Sequence, residues 1–288
     1  MSQHPSGFLF PFPQLHKTAK SKGMMKPLSI IAALTLLGSA NEQTAFGDQS
    51  FETGFSGFLY DLKQDMEGET TEVGEPGGSS FNKFYDAFED LIRKKFSDKE
   101  LGKYRIADET NSLKYFAVPS LQADQAPTEF GSSYIDPKQI IMVYKGTVES
   151  APAQELRFGG VFDDAMCVLV NGKVVFYISR HEDQLRYKPK TPSRQRKKEG
   201  VNYVGYGDYI RLKKGDEVTL VAAEIPGGQI GGHLLVQLKN YQYDLNSYKD
   251  PIVHPFVCDE NLTENELLNL QKLTKTTIKD LPIISFQK

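Results

Sequence analysis

From Gln139 the pattern of apolar and polar positions becomes that of short β-strands, in part alternating and in part continuously apolar. Expected strands are Ile140–Thr147, Leu156–Val161, Ala165–Val170, Lys173–Ser179, Tyr203–Leu212, Glu217–Ile225 and His233–Leu238. Punctuation between them agrees. Asn171-Gly172 is a two-residue hairpin signal, because both central residues of a type I′ turn need positive φ. Lys214-Gly215-Asp216 reads as a turn and Pro226–Gly232 as a glycine-rich hairpin loop. Upstream, Phe55–Lys63 reads as a first strand, and Ser112–Val118 as another, ended by Pro119 and the polar loop Leu121–Pro127. One stretch has a different period. Phe81, Phe84, Tyr85, Phe88, Leu91, Ile92 and Phe96 recur at steps of three and four, the stripe of an amphipathic helix packed on a sheet, with Ser80 as its expected N-cap. Near the end, Thr263 to Glu266 form a capping-box pattern, and Leu267, Leu268, Leu270 and Leu273 give a short helix; residues 281–288 read as a last strand or a loose end.

Many short strands with regular turns indicate an all-β sandwich or barrel, here with one inserted amphipathic helix and a short C-terminal helix. The start of the chain is organised differently. Residues 1–23 read as an N-terminal extension ahead of Met24 and Met25. Lys26, the apolar run Leu28–Leu37 and the small residues Gly38-Ser39-Ala40 have the form of a signal peptide over 24–40. The run falls short of the roughly 18–20 residues that a membrane span needs. The main domain is expected over 48–245, with a tail over 246–288.

Composition adds little beyond this. The 288 residues are 39% hydrophobic, enough for a sizeable core, and the formal net charge of −3 gives no global field that would favour nucleic acid. Trp is absent, so any stacking on sugar falls to Tyr. Cys167 and Cys258 make neither a zinc motif nor a disulfide framework; two buried thiols is the simpler reading, and one bridge stays open to an exported chain.

Phe158, Asp163-Asp164, Val168–Val170, Asn171-Gly172-Lys173 and Val174-Val175 follow the pattern of the protective-antigen-14 (PA14) domain family. Ile210–Gln237 fits as well, with its Lys-Lys-Gly-Asp turn, β-branched strand to Glu224 and Pro-Gly-Gly loop. Over about residues 50–240 the chain resembles the variant of this domain found in exported bacterial proteins. The resemblance implies a β-sandwich with a jelly-roll-like barrel. It also implies calcium (Ca2+) held by the adjacent Asp pair in sugar-binding members, which makes Asp163 and Asp164 the candidate metal ligands. In those members a cis peptide between the two Asp turns both carboxylates toward one ion. Their site is completed by an Asn or Asp from a later loop. Here that loop, Pro226–Gly232, holds Gln229 instead, which leaves Glu224, Gln229 and backbone carbonyls as candidate ligand-binding groups.

The remaining chemistry is sparse. Asn171 lies about 23 Å of strand from Asp164, at the opposite end of the sheet. A basic loop from Arg186 to Lys198 suits an anionic surface polymer. Outside the extension the histidines are His181, His233 and His254, far apart, and no nucleophile elbow, zincin motif, P-loop or dinucleotide fingerprint occurs. Adjacent Asp163 and Asp164 do not suit glycoside hydrolysis, whose carboxylates flank the bond about 5–9.5 Å apart. Two readings stay open: a non-catalytic exported module that binds glycan or anionic surface polymer, calcium-dependent in its sharper form, or a structural domain that contacts other bacterial envelope proteins. Neither calls for nucleic acid or a membrane span in the mature chain.

Overall fold

The computed structural model describes residues 54–76, 80–179, 197–199, 202–245, 253–274 and 281–287. The expected extension 1–23, the signal peptide 24–40 and most of the basic loop 186–198 lie outside the described residues. In chain order the elements are β1 (Ser56–Asp61), α1 (Ser80–Arg93), α2 (Asp98–Leu101), β2 (Arg105–Ile106), β3 (Asn111–Ser112), β4 (Ala117–Gln122), α3 (Gln125–Glu129), β5 (Ile140–Ser150), β6 (Leu156–Asp163) and β7 (Ala165–Val170). There follow β8 (Lys173–Ser179), β9 (Lys197–Glu199), β10 (Asn202–Tyr206), β11 (Glu217–Glu224), β12 (Gln229–Leu238), β13 (His254–Pro255), α4 (Glu264–Thr274) and β14 (Ser285–Phe286).

Two antiparallel sheets form a sandwich. The first runs β2-β1-β5-β11-β7-β8, with β3 beside β1 and β14 beside β5; the second runs β13-β12-β6-β10-β9, with β4 also on β12. The inner core between them holds Leu59, Met142, Phe158, Met166, Leu220 and Val236. The other face of the first sheet is buried too. Ala165, Cys167, Leu169, Val221 and Ala223 pack there against Phe84, Phe88 and Leu91 of α1. The first sheet is therefore the middle layer of three, which explains why β7 and β11 read as almost continuous apolar runs: both sets of alternating side chains leave water. A smaller cluster seats α4 on β4 through Tyr115, Ala117 and Leu270.

The expected helix runs from Ser80, which is its first residue rather than its cap. Past its end Lys95 and Phe96 take φ of 60° and 48°, and the Phe96 amide donates to the Leu91 carbonyl at 2.8 Å, a closure that keeps Phe96 buried. Boundaries change elsewhere. β4 continues through Pro119 into the stretch expected as a polar loop. Proline is tolerated because the β4–β12 register shifts between Ile230 and Gly232, which places Pro119 at a bulge where no ladder bond is required of it. The strand expected over Tyr203–Leu212 shortens to β10, after which a single bridge pairs Ile210 with Leu156. Pro226–Gly232 also shortens, because β12 begins at Gln229 and only 225–228 form the connection. The segment 246–288, set apart in the sequence, supplies β13 and β14 and sends Phe256, Ile284 and Phe286 into the inner core. The alternative of a last strand thus holds for β14. Cys167 and Cys258 are free, buried and in different cores.

Candidate functional site

The Asp pair forms the corner where the chain leaves one sheet for the other. Asp163 is the last residue of β6, opposite Gly231 of β12 in the second sheet. The Asp163–Asp164 peptide is cis, as the resemblance implies. Asp164 then leads into β7 of the first sheet, where its amide donates to the Ala223 carbonyl at 3.0 Å. Its Oδ2 accepts the amide hydrogen of Ile225 at 3.0 Å, and only 1% of the residue is exposed. Asp163 is half-buried.

Glu224 closes β11 beside this corner. It is 0% exposed, with Oε1 accepting the Gly227 amide at 2.7 Å. Its Oε2 is buried without a hydrogen-bond partner. Burial pushes the carboxyl up to about 8, and the charges of Asp164 and Asp163 add to the effect against the pull of the Gly227 and Gly228 amides. At neutral pH Glu224 is therefore mostly protonated. The chain folds this way because Gly227 takes φ +79°, and because the Lys138 side chain lies where a Cβ on Gly227 would stand. Behind the corner, Tyr85 Oη lies 3.3 Å from Ser179 Oγ. Burial, with help from the Asp164 charge, raises the Tyr85 phenol to about 12.

The four residues singled out in the sequence fall into two groups. Asp163, Asp164 and Glu224 come together at one end of the sandwich. Gln229 starts β12 and is exposed, and its Oε1 accepts from Ser120 Oγ of β4 at 3.5 Å. Asn171 sits at the far turn with φ 50°. Its Nδ2 donates to Asp216 Oδ1 and its Oδ1 accepts the Glu217 amide, both at 2.9 Å, so it locks the hairpin onto its neighbour. Of the two candidate ligand-binding side chains, Glu224 lies beside the Asp pair. The sequence signal for it is a single carboxylate ending a largely buried run, Val218–Ala223, in which only Thr219 is partly exposed.

Calcium takes about six to eight hard oxygen ligands at about 2.3–2.6 Å. The donors here are of the right kind, and Glu224 Oε2 lacks any other partner. Among the described residues no three His, Cys, Asp or Glu side chains are grouped so as to hold an ion. Oxygen donors of this kind suit a hard cation rather than a soft one.

No family model matches the sequence, and no curated protein matches it. Among solved structures the chain is similar to the PA14 sugar-binding domain from an RTX adhesin, at 16% identity and a TM-score of 0.38, covering 67% of this chain and 93% of that one. It is similar to the PA14 domain of the MpAFP antifreeze protein, at 13% identity and a TM-score of 0.37 over 65% of this chain and 82% of that one. It is also similar to the epithelial adhesin 6 A domain from Candida glabrata, solved with Galβ1-3GlcNAc, at 9% identity and a TM-score of 0.35 over 74% and 91%. Likenesses of this strength assign no ligand.

Proposed function

We propose that this chain is a non-catalytic, exported module that binds carbohydrate or a surface polymer, with a calcium ion held at Asp163, Asp164 and Glu224. The observation that carries the reading is Glu224: a fully buried carboxyl with one oxygen lacking any partner, placed beside a second carboxylate. Burying a carboxyl oxygen without a partner is costly, and a cation shared with the Asp pair would remove that cost. The bound ion would present open coordination positions to sugar hydroxyls. Export follows from the expected signal peptide at 24–40, and the basic loop 186–198 would add grip on an anionic polymer.

A second reading is favoured by the Ile225 amide on Asp164 Oδ2, which gives Asp164 a purely structural task at the corner. The domain would then serve as a scaffold or as a contact surface for envelope proteins. A glycan array probed in calcium and again in EDTA separates the two. Binding to at least one glycan in calcium, lost in EDTA, supports the module as proposed; no binding in either buffer favours the scaffold.

A further inference from the structure

A cleft opens at the same end of the sandwich. Its volume is about 300 Å3 and its walls include Asp61, Lys63, Gln64, Arg105, Tyr134 and Asp136. Asp61 pairs with Ile140 across β1–β5, and Ile140 pairs with Glu224 across β5–β11. These three share the sheet face of Leu59, Met142 and Ala222, which line the inner core. At about 4.8 Å per strand the Asp61 and Glu224 Cα atoms stand about 10 Å apart. The backbone links them as well: Leu62 donates to the Gln139 carbonyl at 3.1 Å, Gln139 to the Ile225 carbonyl at 3.1 Å, and Ile225 to Asp164 at 3.0 Å.

The lining is built rather than incidental. Lys63 Nζ meets Asp61 Oδ1 at 2.6 Å and the Asp136 carbonyl at 3.0 Å, and it also bonds the Lys138 carbonyl, so it pins the loop 136–139. The Arg105 guanidinium donates to Gln64 Oε1 at 2.6 Å and lies over the Tyr134 ring at 4.7 Å. Tyr134 is 53% exposed, and its hydroxyl is fixed by Asp108 Oδ1 at 2.9 Å. Two carboxylates and two cations balance within the walls, beside one exposed ring. That combination suits a neutral polyhydroxylated guest better than an ion or an apolar one.

We propose that this cleft is a second saccharide subsite, which holds further rings of a neutral oligosaccharide whose other end lies at Asp163, Asp164 and Glu224. The pairing of the two subsites rests on the carbohydrate reading given above, whereas the cleft's own preference rests on its walls.

The chain has no tryptophan, so Tyr134→Trp creates a single reporter in the cleft. This variant is titrated in EDTA with lactose, cellobiose, chitobiose and sialyllactose, after its Tm is matched to wild type. If that match fails, the same sugars are followed on wild-type protein by calorimetry. A saturable signal with at least one neutral disaccharide is expected, weakened about tenfold by Arg105→Ala. Silence with all four sugars, or a signal from sialyllactose alone, overturns the proposal. Asp164→Asn distinguishes the two readings. If it abolishes calcium binding but leaves the EDTA signal intact, both stand. If calcium never binds yet the signal persists, only the Asp-pair reading falls.

Discussion

Asp164 Oδ2 accepts the amide hydrogen of Ile225 at 3.0 Å, and this bond ties the corner between the two sheets to the connection that follows Glu224. Because the Asp164 amide also donates to the Ala223 carbonyl, one residue grips the end of β11 on both sides of Glu224. The buried acid is held in place by its neighbour, and the two carboxyls are kept close enough for the charge on one to oppose ionisation of the other.

That opposition makes stability depend on pH. The Glu224 carboxyl is raised from 4.5 to about 8 in the folded protein, so the folded chain binds more protons than the unfolded chain between those values. Stability from this group is full below about 4.5 and is lost as pH rises toward about 8. In EDTA the Tm is expected to fall as pH rises across this window. Glu224→Gln removes the fall. Calcium is expected to raise the Tm most at the alkaline end. A flat profile for wild type would show that Glu224 is not buried as an acid.

A buried ion pair anchors the C-terminal helix. Lys114 Nζ lies 3.3 Å from Glu266 Oε1, with both side chains nearly fully buried. Glu266 also closes the capping box, its Oε2 accepting the Thr263 amide at 2.6 Å while Thr263 Oγ1 accepts the Glu266 amide at 3.2 Å. Glu266→Ala leaves Lys114 buried and unpaired, so a loss of about 3–5 kcal/mol in urea unfolding is expected. Adding Lys114→Met is expected to restore part of it; a neutral effect of the single change would contradict the pair.

Thiol chemistry gives a simple check on the two cores. Burial raises both the Cys167 and Cys258 thiols well above their ordinary value. Neither is expected to react with Ellman's reagent in the folded protein, and both are expected to react in guanidinium. Rapid labelling of either native thiol would show a looser core than the one described.

Much of this fold is legible where local rules act alone. Asn171 and Gly172 take φ of 50° and 70°, as their turn requires, and β7 and β8 fall on the expected residues. The capping box at Thr263 and Glu266 forms reciprocally, and the aromatic stripe of α1 buries as its spacing demands. What escapes is set by partners distant in sequence. β13 is only two residues long, one of them a proline, and exists because β12 offers an edge to it. Gly231 and Gly232 read as loop but lie within β12, where a side chain on Gly232 would collide with Val161 and Phe162 of β6. At the site, Asp163 and Asp164 stand out as a pair in the sequence. The place of Glu224 beside them does not, since it depends on which strand end folds against that corner.

The measurement that bears most directly on the central claim is calorimetric titration of calcium into wild type and Asp164→Asn, near pH 7, with proton release followed in two buffers of different ionisation enthalpy. A single site is expected, with Kd about 0.1–1 mM, the range of extracellular calcium modules. Binding should release part of a proton as Glu224 ionises, and Asp164→Asn should weaken it at least tenfold while the folded Tm stays measurable. Absence of any calcium-dependent heat in the wild-type protein in both buffers would contradict the account.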